Sequence, residues 1–159
     1  MKCATAVVAC VLGLAVLAAE QAMAARLACP AIACVDGLTL DVPPERTWSA
    51  GDYVFKLTMD GKGMTCRGSL PFQGCDAPGL VCDGEGAMIM QSGCALPPEV
   101  HGFGTISIAS GPAQVTVTIT HNGDVMLDKS YSPAYREASL GPAACNIRCR
   151  QATLPLFGE

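Results

Sequence analysis

The stretch Gln114 to Ser132 reads QVTVTITHNGDVMLDKSYS, and the fold follows from how it is read. In its first arm Val115, Val117 and Ile119 alternate with Gln114, Thr116, Thr118 and Thr120. A period of two with β-branched residues is what a half-buried strand requires. Register follows from parity, because residues opposite each other share a face. A two-residue Asn122-Gly123 loop would set Asp128 and Ser130 against the valines. A three-residue loop, His121-Asn122-Gly123, pairs Ile119 with Val125 and Val117 with Leu127 instead. It also places Gly123 in the left-handed position of a type I turn with a G1 bulge. The expectation is a hairpin with the odd loop.

A second hairpin precedes it. Tyr53, Phe55, Leu57 and Met59 line one face of its leading strand, and Met64, Cys66, Gly68 and Leu70 one face of the return. A two-residue Gly61-Lys62 turn of type II′ pairs Met59 with Met64 and Leu57 with Cys66, so Cys66 points inward. The loose echo between Gly51-Asp52-Tyr53-Val54 and Gly111-Pro112-Ala113-Gln114-Val115 is accounted for by similar hairpins on opposed sheets. Upstream, Gly37 to Val42 reads as a strand with Leu38, Leu40 and Val42 on one face, stopped by Pro43-Pro44. Trp48, the only tryptophan, reads as a lid on the core. Thr105 to Ile108 resumes the β pattern, and a last strand runs from Ile147 to Leu154 with Ile147 and Cys149 inward and Arg148 and Arg150 outward. About seven short strands without an amphipathic helix predict an all-β, Greek-key, Ig-like β-sandwich, with a barrel as the alternative.

The N-terminus reads as a leader. Met1-Lys2 is followed by the small apolar run Ala4 to Ala19, and Ala22-Met23-Ala24 fits a small-x-small cleavage site. Residues 1–24 are therefore expected to be a cleaved signal peptide, with the mature chain beginning at Ala25. A transmembrane anchor would need roughly 18–20 apolar residues, and Glu20-Gln21 ends the run early. A lipid anchor at Cys29 is disfavoured by Arg26 three residues before it. Residues 25–159 are the size of a single domain. The expected location is secreted, periplasmic or at the cell surface, without stable membrane insertion once the leader is removed. The net charge of −4 comes with no Lys/Arg cluster, which argues against nucleic acid.

Cysteine is the loudest compositional signal. Cys29, Cys34, Cys66, Cys75, Cys82, Cys94, Cys145 and Cys149 remain after cleavage. An even set in an exported chain reads as four disulfides. No CxxC pair is present, which disfavours both a zinc ribbon and a thiol-disulfide oxidoreductase. The preferred grouping ties Cys29 and Cys34 to Cys145 and Cys149, leaving Cys66 to Cys94 as a local set.

Pro71 to Gly104 is rich in glycine and proline and holds three of these cysteines, with one short apolar run, Ala87 to Met90. A stretch that long without regular structure needs crosslinks to hold it, and loops of this kind carry binding more often than strands do. Its candidate binding residues are Asp83, Glu85, Pro97, Pro98, Glu99, His101 and Phe103. Glu99 could orient His101 as a general base, but no serine or free cysteine nucleophile stands in a recognisable context. Asp83-Gly84-Glu85-Gly86, with Asp76, could offer oxygens to calcium, but lacks the ligand spacing of an EF-hand loop. Solvated turn chemistry is the plainer account. His121, at the hairpin tip, reads as a solvated turn residue.

Four phrases carry a resemblance: Gly51-x-Tyr53-x-Phe55-x-Leu57-x-x-Asp60-Gly61, Thr65-Cys66-x-Gly68-x-Leu70-Pro71, Ser92-Gly93-Cys94-Ala95-Leu96-Pro97-Pro98, and Gly141-Pro142-x-x-Cys145-x-x-x-Cys149-x-Gln151-Ala152. Together they resemble small exported cysteine-rich proteins of myxobacterial type, a group with no assigned activity. Those proteins often carry asparagine before the Gly-Pro pair, where this chain has Leu140. The resemblance implies export and a single domain, and it implies no catalytic residue, metal or cofactor. The leading functional expectation is a monomeric, non-catalytic binding or structural module for an unknown protein or surface partner. A protease-inhibitor-like module is the alternative, and a small hydrolase using His101 with Glu99 the second.

Overall fold

Alternation in the sequence becomes alternation in burial. The computed structural model describes residues 29, 34–142 and 145–158. The expected leader, 1–24, and the expected mature start at Ala25 lie outside them. Strand β2 (Gly51–Met59) buries Tyr53, Phe55, Leu57 and Met59, and β7 (Val115–His121) buries Val115, Val117 and Ile119. Each such side chain taken from water contributes about 1.5–3 kcal/mol before chain entropy is charged against it. The remaining strands are β1 (Gly37–Asp41), β3 (Lys62–Leu70), β4 (Val81–Cys82), β5 (Ala87–Ser92), β6 (Gly102–Ala109), β8 (Asp124–Tyr131), β9 (Arg136–Leu140) and β10 (Ile147–Pro155).

They form two five-stranded sheets, ordered β5-β6-β1-β10-β9 and β4-β3-β2-β7-β8. The core lies between them, where Leu38, Leu40, Ile106 and Ile108 of the first sheet meet Phe55, Leu57, Val117 and Ile119 of the second. This is a β-sandwich and not a closed barrel. The described residues form ten strands against the expected seven or so, because β4, β5 and β9 lie in stretches that the sequence presents as loop or turn. Both hairpins belong to one sheet, β2 pairing directly with β7, and not to opposed sheets. Among the described residues only β1 and β10 pair in parallel, which brings the two ends of the described chain side by side.

The two hairpin tips correct the expected registers. In β2–β3 the turn is Asp60-Gly61, both at positive φ, and Leu57 pairs with Met64 while Phe55 pairs with Cys66. Parity forbids odd slips but is blind to a shift of two, and Asp-Gly suits the type I′ turn better than Gly-Lys suits type II′. In β7–β8 the loop has two residues after all: His121 faces Asp124, with Asn122 and Gly123 both at positive φ. A β-bulge between Thr120 and Ile119 then absorbs one extra residue of β8, so Ile119 faces Leu127, Val117 faces Lys129 and Val115 faces Tyr131. Asp128 and Ser130 fall opposite threonines instead. Thr118 donates to Asp128 at 3.1 Å, and Thr116 and Ser130 lie 2.9 Å apart.

Four disulfides reinforce the sandwich: Cys29–Cys145, Cys34–Cys149, Cys66–Cys82 and Cys75–Cys94. The first two join the chain ends beside the β1–β10 pair, and the last two are local. Cys66 is buried in the core and ties β3 to the two-residue β4. Cys149 is also buried, but outside the main core cluster, so its expected place beside Ile147 on the inner face is corrected. The registers of β10 with β9 and β1 run on without a shift, and because Ala152 and Leu154 pack against the core, Cys149 and Gln151 fall on the other face.

Candidate functional site

One end of the sandwich gathers most of the aromatic side chains around Trp48. Its ring lies 5.5 Å from Tyr53, 6.2 Å from Phe55, 5.2 Å from Phe103 and 5.8 Å from Phe157. Gly102 lets it in: a Cβ there would come within 2.4 Å of the indole. Trp48 is thus the core lid the sequence suggests, and a cavity of about 250 Å³ opens beside it. The Pro43–Thr47 turn, closed by the Arg46 N–H donating to the Pro43 carbonyl at 2.9 Å, forms one wall. The 3-10 turn Pro98–Val100 and the start of β6 form the other.

Of the sequence candidates, Glu99, His101 and Phe103 come together in that lining. The structure places each differently. Phe103 is buried in β6 and packs 4.9 Å from Phe55, so it is a core residue and not part of an open loop. Among the described residues His101 is the one buried polar side chain. Its Nδ1 accepts from the Phe72 backbone N–H at 3.0 Å, and its Nε2 lies 2.9 Å from the Leu96 carbonyl. A carbonyl can only accept, so Nε2 carries the proton and the ring is the neutral tautomer. Both nitrogens are committed to backbone, and the ring stacks on Phe72 at 5.4 Å. This arrangement holds the loop against the core. It leaves no free lone pair to take a proton from a substrate.

The other candidates lie apart. Asp83 caps the β3–β4 region, accepting from the Thr65 N–H at 2.6 Å and facing Arg67 at 3.7 Å, both side chains exposed. Such an exposed pair contributes little. Glu85 is exposed in the turn before β5, and Pro97 and Pro98 begin the 3-10 turn. Among the described residues no group of three His, Cys, Asp or Glu side chains is arranged to hold a metal ion, and no helix is long and apolar enough to cross a membrane. His121 is half-buried and not merely solvated: it stacks on Tyr53 at 4.6 Å and meets the Ala50 carbonyl at 3.0 Å.

Arg46 is the residue that sequence reading passed over. Its guanidinium lies 4.0 Å over the Phe157 ring and 5.6 Å from Trp48. Its Nε is buried without a hydrogen-bond partner among the described residues. Burial pushes the nearby Tyr53 phenol up, and the Arg46 charge pulls against that shift. The only cue in the sequence was position, an arginine two residues before the sole tryptophan and just after Pro43-Pro44.

A larger groove, about 500 Å³, runs across the outer face of the first sheet, where Met88, Ser107, Thr39 and Thr153 stand in one row over β5, β6, β1 and β10. Its floor is small and hydroxyl-bearing, with Asp36 as its one charged group. The end cavity is smaller but combines a cation, a carboxylate and aromatic walls, the few convergent polar groups on an apolar surface that mark ligand sites. The chain matches no family model, no curated protein and no solved structure.

Proposed function

We propose that this protein is a non-catalytic, exported binding module: a Greek-key, Ig-like β-sandwich that presents the Arg46–Trp48 end to a ligand or surface partner outside the cytoplasm. The observation that carries the reading is the contrast inside one cavity. His101, the candidate base, has both nitrogens bound to backbone, whereas the Arg46 Nε has no partner among the described residues. That is a site equipped to hold and not to transfer protons. Export is supported by the leader-like residues 1–24, by the resemblance to exported cysteine-rich proteins of myxobacterial type, and by disulfides, which persist in oxidising compartments.

The test is a panel of ester, peptide and glycoside compounds assayed for both turnover and equilibrium binding. Binding without turnover supports the module. Turnover that disappears in His101→Asn would replace it with the hydrolase reading. N-terminal sequencing of exported protein should begin at Ala25, and an uncleaved start would remove the export argument.

A second reading has its own observation. The Cys75–Cys94 bridge anchors the loop that carries Leu96 and Val100, both exposed, close to the 3-10 turn. A crosslinked loop presenting apolar side chains is preorganised in the way a protease inhibitor requires. Absence of inhibition across a protease panel at micromolar protein would remove it.

A further inference from the structure

We propose that the end cavity is a receptor for a single carboxylate carried on an apolar group, with Arg46 as the anion-binding residue; the inference deepens the binding-module reading and rests on it. Arginine keeps its charge at any ordinary pH, and its planar fork of donors matches a carboxylate. Here the guanidinium lies over Phe157 at 4.0 Å with Trp48 beside it. Stacking engages the face of the cation and leaves its in-plane N–H groups for hydrogen bonds. Among the described residues ion pairs form at Arg67–Asp83 and Arg148–Glu137, and none forms at Arg46. Its Nε is the one buried side-chain nitrogen or oxygen of those residues that lacks a partner. Buried donors are nearly always satisfied, so the unpartnered Nε marks a guanidinium that no described protein group holds, on a residue that lines the cavity.

The cavity also limits what is attached. Val42, Pro43, Trp48, Val100 and Phe103 supply apolar walls, and about 250 Å³ is room for one amino-acid residue or a short acid. Glu99 lines the same space from the facing turn. Its charge opposes a second carboxylate on the ligand, so the site selects a monoacid over a diacid. The carboxylate can come from a free small acid or from the C-terminal residue of a peptide, and the chemistry at Arg46 is the same.

Trp48 is the only tryptophan in the chain and lines the cavity, so its fluorescence reports the site directly. The folded, oxidised protein is titrated with N-acetyl-leucine, with N-acetyl-leucinamide, and with the peptide Gly-Gly-Gly-Leu as free acid and as amide. The expected result is saturable binding of an acid, weakened roughly tenfold or more when the carboxylate becomes an amide. Arg46→Gln should weaken the acid similarly, and Arg46→Lys, which keeps the charge without the fork, should do so less. The acid–amide comparison in the unaltered protein stands even if a variant folds poorly. Tighter binding of the peptide acid assigns the peptide source, and binding of N-acetyl-leucine alone assigns a small acid. Equal binding of acid and amide would overturn the carboxylate assignment while leaving a binding module in place. No saturable change with any probe would overturn the proposal, and the module reading would fall only if the wider panel were also silent.

Discussion

Lys129 stands directly across the β7–β8 ladder from Val117, on the side of the strand that faces the core. Its Nζ lies 5.3 Å from the centre of the Tyr131 ring and donates to the Gly158 carbonyl at 2.5 Å. An inward-pointing charge on an edge strand is a known defence against pairing with another chain. Replacing Lys129 by Val should therefore leave the fold intact, within about 1 kcal/mol of the parent. It should also promote concentration-dependent association, which sedimentation velocity would detect. A variant that associates no more than the parent at high concentration would show that the lysine does not guard this edge.

The bulge next to it sets which residues of β8 face inward. Deleting Val125, which is exposed, leaves Ile119 opposite Leu127 and should cost less than about 1–2 kcal/mol in urea unfolding. Deleting Asp128 instead shifts Lys129 and Tyr131 by one position and turns Tyr131 out of the core. That variant should lose several times more stability. Equal losses for the two deletions would mean that the bulge does not decide register.

His101 is expected to matter for stability. His101→Ala leaves the Phe72 N–H and the Leu96 carbonyl without their partner and opens a small cavity, a cost of about 2–4 kcal/mol. Glu99→Gln, on an exposed side chain, should change stability by less than about 0.5 kcal/mol. Denaturant midpoints for the two variants test the contrast, and a His101→Ala midpoint close to the parent's would contradict the structural role.

Tyr131 should make stability fall in strong alkali. Burial pushes its phenol up to about 12, and the hydroxyl donates to the Leu156 carbonyl at 2.6 Å. In the unfolded chain the phenol ionises near pH ~10. Below that pH both states keep the proton and the group adds no pH dependence. Between about 10 and about 12 the unfolded state loses its proton first, so stability declines as pH rises. Tyr131→Phe should remove this part of the decline, and an unchanged slope would place its cause elsewhere.

The two end bridges should act together. Cys29–Cys145 and Cys34–Cys149 span 116 and 115 residues, but once one is closed the other closes only the short remaining ring. Replacing either pair with serine should cost roughly 2–3 kcal/mol, and replacing both should cost more than the sum, because the second loss frees the long loop. Additive losses would show that chain entropy is not the main source of their stabilisation.

Much of this was legible because strands announce themselves locally. The inward faces of β2, β3 and β7 could be read from alternation alone, as could Cys66 pointing inward and the lid position of Trp48. The strands β4, β5 and β9 were not legible. Val81-Cys82 is too short for a period, Ala87 to Met90 looks like any apolar run, and Arg136 to Leu140 is a polar edge whose pairing depends on β10. Both hairpin registers were misplaced for a related reason. Alternation constrains parity, while the turn pair and the bulge that complete a register obey backbone geometry at one or two residues.

What the sequence determined by itself was the class of molecule: β-strands with known faces, a cysteine set large enough to staple them, and no cluster of basic residues suited to nucleic acid. Those are properties of composition and near neighbours. The tertiary structure alone decided which strands share a sheet, which cysteines meet, and that Arg46 lies stacked on Phe157 beside Trp48. These depend on residues far apart in the chain, and Arg46 and Phe157 meet only because the β1–β10 pair brings the ends together. No local pattern records that meeting.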